Sequence, residues 1–512
     1  MSLVMTSRQI IILATFISCG VLLSPWPPLG VPGEWVWPRH ALPLDIFEML
    51  DRIIWPLLCG SAIVVYCTGS MRLIGNAGIV RRGLLLFGLT GLSFLWLSAV
   101  RQAAPSPHRE LRPTWILYDK YASGYFYNAT FKVTSTKQML SDYEARMAEG
   151  DVLHEGTHPP GLLLLNRSLL KLTDAFPAVV EFSESLQNAE TVRMFREVEA
   201  AGQMARPLSK SELAALHLSS ILSALFVAMT VIPVFGLTQR ITDSRIAWRA
   251  ASLMITVPTI GVFVPRSDVL YACSGMILAW VVVCAFLTEG RGWRWILAVL
   301  AGVALCGCLL ISLAHLPVLV MLAIFVCGFT IVDLRRRMLP ILETTTITAL
   351  SFFATCAVWQ YMTQCSLLHV WQLNLGNHAA FYSQSPRSWS AWFAVNPIEL
   401  AMAVGLPVAV ISIVGIYQLV TVSKASRGRR FNNGQMFTIA CVLTWTLLWL
   451  SGKNMGEAAR LWCFATPWFA IIAAQTRGSD TAETNKTWLW LLIAQLIVAT
   501  ITVGRVSGFL EF

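Results

Sequence analysis

Residues 268–288 read DVLYACSGMILAWVVVCAFLT, a run whose only charged residue is the aspartate at its start. An apolar segment of about 20 residues is long enough, as an α-helix, to cross the roughly 30 Å hydrocarbon core of a bilayer. Similar stretches recur along the chain at 9–24, 53–68, 84–100, 213–237, 249–265, 295–312, 316–332, 343–360, 397–421, 437–450, 461–476 and 488–504. The pattern predicts an all-α polytopic membrane protein with about 13 transmembrane helices.

The composition argues against other classes of protein. Of the 512 residues, 56% are hydrophobic and 13% are charged, whereas roughly a quarter of the residues in a typical soluble domain are charged. A disordered chain would combine low hydrophobicity with high net charge. The 12 cysteines lie mostly in apolar stretches and form no CxxC pair, which favours packing roles over a zinc site or a disulfide framework. No ligand set stands out, so the need for a divalent metal cofactor is left open.

The net charge of +10 is unevenly distributed. In the short connections between apolar stretches, Lys and Arg are more than twice as frequent on the side of the N-terminus as on the opposite side. Basic residues are retained on the cytoplasmic side during membrane insertion, so the N-terminus is predicted to be cytoplasmic. Topology therefore accounts for the positive charge, and no nucleic-acid partner is expected.

The chain divides into three regions on this scheme. Residues 1–100 contain N-terminal spans, 101–212 form a large extracytoplasmic loop, and 213–512 form a C-terminal transmembrane bundle. The polar chemistry is concentrated in the loop and in the shorter connections on the same side. We therefore look for a functional site at the extracytoplasmic face.

The loop has a recognisable local pattern. Its prolines predict an extended start over 105–113, followed by helical patterning in 119–149 and a polar helix over 183–204. The leucine-rich segment 161–173 is amphipathic and is predicted to lie in the membrane interface with the other helices of the loop. The loop is expected to be a folded cap over the membrane.

Three carboxylates in the loop, Asp119, Asp142 and Glu144, are candidate catalytic residues. A positioned Asp or Glu can take a proton from an acceptor hydroxyl as a general base. Asp119 differs from the others because aromatic residues surround it in the sequence, namely Trp115, Tyr118, Tyr121, Tyr125, Phe126 and Tyr127. These rings would desolvate a carboxylate or stack on a ligand ring, and their alternative role is an aromatic belt at the membrane interface.

Residues 157–161 read THPPG. The two prolines stop one element and start the next, and they hold the polar His158 at the turn. His154 and His158 have the spacing of two metal ligands on one helical face, but Pro159 disfavours helical geometry at His158. The sequence therefore gives only a weak indication of a two-histidine metal site.

The segment Thr157-His158-Pro159-Pro160-Gly161-Leu162, after an acidic and aromatic outer loop, resembles the HPPG/HPPL region of GT-C glycosyltransferases. That class contains protein O-mannosyltransferases and lipid A aminoarabinose transferases. Three other stretches resemble uncharacterised bacterial members of the class: PRSDVLY at 265–271, GNHAAFY at 376–382 followed by Arg387-Ser388-Trp389, and GEAARLW at 456–462. All four stretches lie on the outer side in the topology that the basic residues predict.

Two features depart from the class. The class places an acidic pair soon after its first span, whereas the loop of this chain follows the third predicted span, and Asp119 is followed by Lys120. Two additional N-terminal spans would explain the first departure. The second leaves the base open between Asp119 and the later carboxylates Asp142 and Glu144.

The resemblance implies an enzyme that transfers a sugar, with inversion, from a polyprenyl-phosphate donor to a glycan, lipid or protein acceptor. The reaction would take place at the extracytoplasmic face of a bacterial inner membrane, in contact with membrane lipids. The residues of the matching stretches implied in substrate binding are His158, Asp268, Asn377, His378, Tyr382, Arg387, Glu457 and Arg460.

Arg460 is the candidate contact for the donor phosphate, because its planar fork suits phosphate oxygens. Glu457 precedes it by three residues, at a helical spacing that would orient the guanidinium. Arg460 has an alternative role as a snorkelling residue at the end of a span. Asp268 has an alternative role as a helix cap.

Two other functions fit a polytopic membrane protein. One is a transporter or flippase for lipid-linked sugars, and the other is a non-catalytic scaffold of the same fold. Transporters place polar residues near the middle of the bilayer. The predicted spans of this chain are nearly free of charge at their centres, which favours a site at the interface.

Overall fold

The structure is a computed structural model that describes residues 6–26, 28–150, 155–202, 206–332, 334–425, 431–476 and 481–508, of which 329–332, 334–337 and 422–425 are described by their backbone alone. His154 lies outside the described residues, so the two-histidine site is not tested. Within the described ranges the chain is almost entirely α-helical. The prediction of an all-α polytopic membrane protein is confirmed.

The N-terminal region contains three helices and a small hairpin. They are α1 (Ser7–Leu23), β1 (Gly30–Val31), β2 (Trp35–Val36), α2 (Ile46–Ile74) and α3 (Ile79–Arg101). The strands pair antiparallel, with Gly30 opposite Val36. Asp45 caps α2 by accepting a hydrogen bond from the backbone N–H of Glu48 at 2.8 Å. The hairpin packs on the C-terminal bundle, against the helix that begins at Trp389.

The described residues of the loop region form seven short helices, which share a hydrophobic core with residues of the C-terminal region such as Leu216 and Val370. They are α4 (His108–Tyr118), α5 (Tyr125–Phe131), α6 (Thr136–Ser141), α7 (Tyr143–Ala148), α8 (Gly161–Ala175), α9 (Pro177–Ser185) and α10 (Ala189–Ala200), with a 3₁₀ turn at Glu155–Thr157. The prediction of an extended start is wrong at Pro113, which lies inside α4. The single polar helix predicted over 183–204 is also wrong, because the chain breaks between α9 and α10 and Asn188 caps the second helix.

The helix α8 confirms the amphipathic segment at 161–173 and shows what its apolar face contacts. It packs against α5 and against the first helix of the C-terminal region. Leu162, Leu163, Leu169 and Leu170 are buried in the protein. Most of the apolar face therefore holds the loop onto the bundle.

The C-terminal region contains the remaining helices. They are α11 (Lys210–Ala228), α12 (Val231–Ile241), α13 (Ser244–Met254), α14 (Pro258–Phe263), α15 (Leu270–Leu287), α16 (Arg291–Ile311), α17 (Leu316–Val332), α18 (Leu334–Thr363), α19 (Leu367–Gln384), α20 (Trp389–Val404), α21 (Leu406–Ala425), α22 (Asn433–Leu450), α23 (Ala458–Leu461), α24 (Thr466–Gln475) and α25 (Ala482–Arg505). Short 3₁₀ turns lie at Ser267–Val269, Leu313–His315 and Cys463–Ala465.

The number of candidate spans is smaller than the predicted 13. Among the described residues, 8 helices are long and apolar enough to cross a membrane, or up to 9 if α20 and α21, bent by 110°, count as one. Three predicted spans are shorter apolar helices, at Ser7–Leu23, Leu313–Gly328 and Cys463–Gln475. The span predicted at 249–265 is divided into α13 and α14, because Pro258 disfavours helical geometry at Val257, which is extended.

Candidate functional site

The site is built around Arg460, at the end of the bundle where the connections α14–α15, α19–α20 and α22–α23 meet. Nη2 of Arg460 lies 2.5 Å from Oε2 of Glu457, and Nη1 lies 3.5 Å from Oδ2 of Asp268. Glu457 precedes α23, and Asp268 lies in the 3₁₀ turn before α15. The structure thus joins two of the stretches that the sequence singled out, although almost two hundred residues separate them.

Glu457 is held by a second arginine and by a constrained backbone. Nη2 of Arg387 donates to Oε1 of Glu457 at 3.2 Å, and Nη1 donates to the carbonyl of Met455 at 2.7 Å. Glu457 has φ +57°, a left-handed conformation that is uncommon for a residue with a side chain. The preceding Gly456 has φ +91°, and a β-carbon there would collide with the Arg387 guanidinium. We call Arg387, Glu457, Arg460 and Asp268 the ion-pair network.

The charges of the ion-pair network reinforce one another. Burial favours a raised pKa for Glu457, but Arg460, Arg387 and Arg266 outweigh it and hold the pKa of that carboxyl below its usual range. Burial likewise favours a lowered pKa for Arg460, but Glu457 and Asp268 hold it above the usual value. Glu457 and Arg460 are therefore both ionised at neutral pH.

A group of aromatic side chains from the loop faces the network. Burial raises the pKa of the Tyr125 hydroxyl, and the neighbouring charges that act on it include Asp268 and Arg460. The ring of His158 packs edge-on to Tyr125, with the centroids 5.6 Å apart. His158 is also fixed through its backbone, because the Tyr143 hydroxyl donates to its carbonyl oxygen at 2.8 Å. The THPPG turn is thus placed beside the ion-pair network by way of Tyr125.

Asn377 holds the THPPG turn from the opposite side. Its Nδ2 donates to the carbonyl oxygens of Met147 and Gly156, both at 2.8 Å. One helical turn earlier on α19, Asn374 donates to the carbonyl of Thr157. In this structure Asn377 braces the turn that carries His158.

Tyr382 and His378 lie next to the segment that leads into Glu457. The Tyr382 hydroxyl accepts a hydrogen bond from the backbone N–H of Met455 at 2.9 Å and donates to the carbonyl of Lys453 at 3.1 Å. The His378 ring lies 6.2 Å from that of Tyr382. Burial and then the charge of Lys453 lower the pKa of His378, which favours the neutral imidazole at neutral pH.

The three candidate bases have different surroundings. The Asp119 carboxylate accepts hydrogen bonds from the backbone N–H groups of Tyr121 and Ala122, both at 3.1 Å, and its charge acts on Arg266. Asp142 is exposed, and its carboxylate accepts a hydrogen bond from the hydroxyl of its neighbour Ser141 at 3.1 Å. The structure does not bring the three carboxylates together.

Glu144 links α7 to the start of α19. It accepts a hydrogen bond from the backbone N–H of Ser366 at 2.6 Å and lies 2.5 Å from Nδ1 of His369. Both of its oxygens are therefore engaged in joining the loop to the bundle.

Two acidic residues that sequence reasoning missed connect the N-terminal hairpin to the site. Glu399 is 1% exposed and accepts hydrogen bonds from Nε1 of Trp37 at 2.5 Å and from the N–H of Ala458 at 2.8 Å. Glu34 accepts from Ser388 and from Nε1 of Trp392. Glu399 could have been found, because an acidic residue inside a predicted span marks a functional position.

Metal binding has no support in the described part of the chain. No group of three or more His, Cys, Asp or Glu side chains there is arranged to hold a metal ion. The 12 cysteines are free thiols. The chemistry available at the site is that of paired guanidinium and carboxylate groups beside buried phenols.

Comparison with known proteins gives a similarity to solved structures. No protein-family model and no curated protein matches the chain. Among solved structures, the chain is similar to an oligosaccharyltransferase of Archaeoglobus fulgidus, crystallised in complex with zinc and sulfate, with 14% identity and a TM-score of 0.42. The similarity covers 68% of this chain and 45% of that one, so the chain spans less than half the length of the archaeal enzyme.

Proposed function

We propose that the chain is an integral-membrane glycosyltransferase of the GT-C kind, which moves a sugar from a polyprenyl-phosphate donor to an acceptor hydroxyl at the extracytoplasmic face. The observation that carries the proposal is the convergence of Arg460, Glu457 and Asp268 beside the THPPG turn. Three of the four stretches that resemble the class supply residues of the ion-pair network, namely Asp268, Arg387 and the pair Glu457 and Arg460. The fourth, the THPPG turn, lies beside the network through the contact of His158 with Tyr125. Residues that act only as span anchors have no reason to meet in this way.

Arg460 would stabilise the charge of the leaving phosphate. When the bond between the sugar and the phosphate breaks, the electron pair moves to the phosphate oxygen, and a preoriented guanidinium lowers the energy of that charge. Glu457 fixes one side of Arg460. The Nε–H of Arg460 has no hydrogen-bond partner among the described residues, so a donor group is free.

Asp119 would act as the general base. In an inverting transfer, the acceptor oxygen attacks the anomeric carbon opposite the phosphate and its proton passes to a carboxylate. Asp119 is favoured because its charge acts on Arg266, in the same connection as Asp268. Asp142 and Glu144 are less suitable, since the first is exposed and the second is bonded to α19.

The position of the charges favours transfer at the interface over transport. The ion-pair network lies in the connections between helices, whereas a transporter would place its substrate site near the bilayer midplane. A scaffold would need neither an ionised network nor a guanidinium N–H left free inside it.

Mass spectrometry of lipids that co-purify with the full chain tests the donor class. We expect a polyprenyl phosphate or its glycoside in the wild-type sample and a reduced amount with Arg460→Ala. Turnover is then measured with a short-chain polyprenyl-phosphate sugar and a panel of hydroxyl acceptors. Transport of that lipid across vesicles without any sugar transfer would contradict the proposal.

A further inference from the structure

Three arginines on the same face of the molecule have no acidic partner. Arg101 ends α3, Arg112 lies in α4, and Arg266 lies between α14 and α15. Arg112 is 0% exposed and Arg266 is 6% exposed. Their Nε–H groups, and Nη1 of Arg112, have no hydrogen-bond partner within the described ranges, and none of the three forms an ion pair there. We call these residues the arginine cluster.

Close packing of three elements brings these residues together. A β-carbon at Gly261, on α14, would lie 2.9 Å from Val503 and 3.3 Å from Val100. The end of α3, α14 and the end of α25 therefore meet at one point. Arg101 directly follows Val100, and Arg266 follows α14 after a short connection.

Arg112 reaches this point from the loop. Its Nη2 donates to the carbonyl oxygens of Val506 and Ser507, at 3.3 and 3.2 Å. These contacts anchor one corner of the guanidinium and leave Nε and Nη1 unpartnered. Backbone carbonyls position the group but do not neutralise its charge.

The electrostatic effects agree with this packing. Burial and then the charges of Arg101 and Arg266 lower the pKa of Arg112 to about 10. Burial followed by the charge of Arg460 has the same effect on Arg266, whose pKa is also lowered to about 10. Arg112 and Arg266 remain protonated at neutral pH. Like charges are therefore held near one another, two of them buried and that of Arg101 partly exposed.

The carboxylates whose charges act on the arginine cluster are engaged elsewhere. Asp268 and Glu457, which act on Arg266 more strongly than Asp119 does, form ion pairs with Arg460. Oε1 of Glu110 lies 2.6 Å from Nε of Arg109, and Asp119 holds backbone N–H groups of its own turn. A buried charge without a partner costs several kcal/mol, and such groups are paired or bind an ion. The arginine cluster is therefore incomplete without an anion.

We propose that the arginine cluster is a binding site for a phosphoryl group, separate from the ion-pair network. Guanidinium N–H groups from three directions match the several oxygens of a phosphate, and Arg binds phosphate through paired donors. The phosphate could belong to a lipid or be free in solution. The lipid source, a polyprenyl phosphate released by sugar transfer, rests on the proposed function, whereas the site itself does not.

Binding to the purified full chain in detergent tests the site. The probes are inorganic phosphate and a short-chain polyprenyl phosphate, and dissociation constants are measured from the intrinsic tryptophan fluorescence. We expect Arg266→Gln and Arg101→Gln each to weaken binding of the preferred probe at least about tenfold, because a charged hydrogen bond is lost. Arg112→Lys retains the charge and so protects folding, but lacks the fork, and should also weaken binding.

Two controls separate this site from others. Arg193→Gln removes the same charge from an exposed position on α10, where Arg193 is paired with Glu190 and Glu197, and should leave binding unchanged. Arg460→Ala should retain the binding of inorganic phosphate, although it weakens that of the polyprenyl phosphate. A loss of inorganic phosphate binding would contradict a site separate from the ion-pair network. Without phosphate, the Gln variants of the arginine cluster should unfold at the same temperature as the wild type or above it, since an uncompensated charge has been removed.

Either probe can bind more tightly, and both results support the site. The order of the two affinities identifies the source of the phosphate. Tighter binding of the lipid indicates a lipid phosphate, and equal or tighter binding of inorganic phosphate indicates a soluble one. Absence of binding with both probes, or equal binding by the wild type and all three variants, would overturn the proposal. Phosphate binding at the arginine cluster without any sugar transfer would support the site and contradict the proposed function.

Discussion

The ion-pair network and the arginine cluster are neighbours with opposite electrostatic design. In the network, two arginines are matched by Glu457 and Asp268, with hydrogen bonds that fix each group. In the cluster, three arginines have no carboxylate partner in the described part of the chain. Paired guanidinium groups are oriented and neutralised, whereas unpaired ones attract an anion. The pairing of these arginines, more than their number, therefore indicates what each group does.

Arg266 connects the two groups. It belongs to the arginine cluster by its burial and its free Nε–H, yet the charges of Arg460, Asp268 and Glu457 act on it. An anion bound at Arg266 would reduce its repulsion of Arg460. It would also weaken the effect by which Arg266 helps to hold the pKa of Glu457 low, so binding at the arginine cluster would change the charge balance of the network.

The largest expected effect concerns the side of the membrane on which both groups lie. Cysteine placed at the exposed Ser135, in the loop, should react with a membrane-impermeant thiol reagent in intact cells. Cysteine placed at the exposed Glu289, between α15 and α16, should react only after permeabilisation, because the positive-inside rule places it in the cytoplasm. The unmodified chain controls for the native thiols. A reversed pattern would place both groups on the cytoplasmic side.

The next effect separates binding from anchoring at Arg460. Arg460→Ala should lower the turnover number about 100- to 1,000-fold, the usual cost of losing one donor to a developing charge. Arg460→Lys should retain part of the activity, since it keeps the charge without the planar fork. Turnover is measured with a short-chain polyprenyl-phosphate sugar and normalised to folded protein. Equal rates for the wild type and Arg460→Ala would remove this residue from the site.

Sequence reasoning recovered the helices that are apolar along their whole length. The run at 268–288 became α15, at Leu270–Leu287, and the stretch at 488–504 lies within α25. It failed at 249–265, where hydropathy stays high but Pro258 divides the segment. A window average does not detect a local break in the backbone, so this predicted span corresponds to two short helices, α13 and α14.

At the candidate site, the sequence predicted only contacts between residues that are close in the sequence. The spacing of Glu457 and Arg460 predicted their contact, which the structure contains at 2.5 Å. Their contacts with Asp268 and Arg387 depend on tertiary packing, which no spacing rule reports. Arg112 was missed because it lies in a polar segment that was expected to be extended, and its burial appears only when the loop packs on α25.

The third effect concerns the proposed base, Asp119, whose charge acts on Arg266. Asp119→Asn should reduce the rate about a hundredfold, at the low end of the range for general-base catalysis. Asparagine retains a side-chain oxygen for the N–H groups of Tyr121 and Ala122, so the turn should persist and donor binding should be largely kept. Asp174→Asn, at an exposed position on α8, is the matched control. Near-full activity of Asp119→Asn with a loss in Asp142→Asn or Glu144→Gln would move the assignment to the later carboxylates.

The smallest effect is expected at Glu457, the residue that makes the network a paired group. Glu457→Gln retains an oxygen acceptor for Arg460 or Arg387 but removes the negative charge. The guanidinium of Arg460 therefore stays present and becomes loosely oriented. We expect a loss of turnover of about tenfold, milder than that of Arg460→Ala. Because glutamine has the same backbone strain at φ +57°, Glu457→Gly serves as the control that relieves the strain and removes the side chain.

The pH dependence of stability gives this variant a second measurement. The pKa of Glu457 is lower in the folded chain than its ordinary value, so its charge stabilises the fold above the ordinary pKa. That contribution is lost as the pH falls through the lowered pKa. The midpoint of thermal unfolding should therefore differ between the wild type and Glu457→Gln at neutral pH and converge in acid. A difference that stayed constant with pH would indicate that Glu457 contributes packing and not charge, and the contrast with the arginine cluster would lose its electrostatic basis.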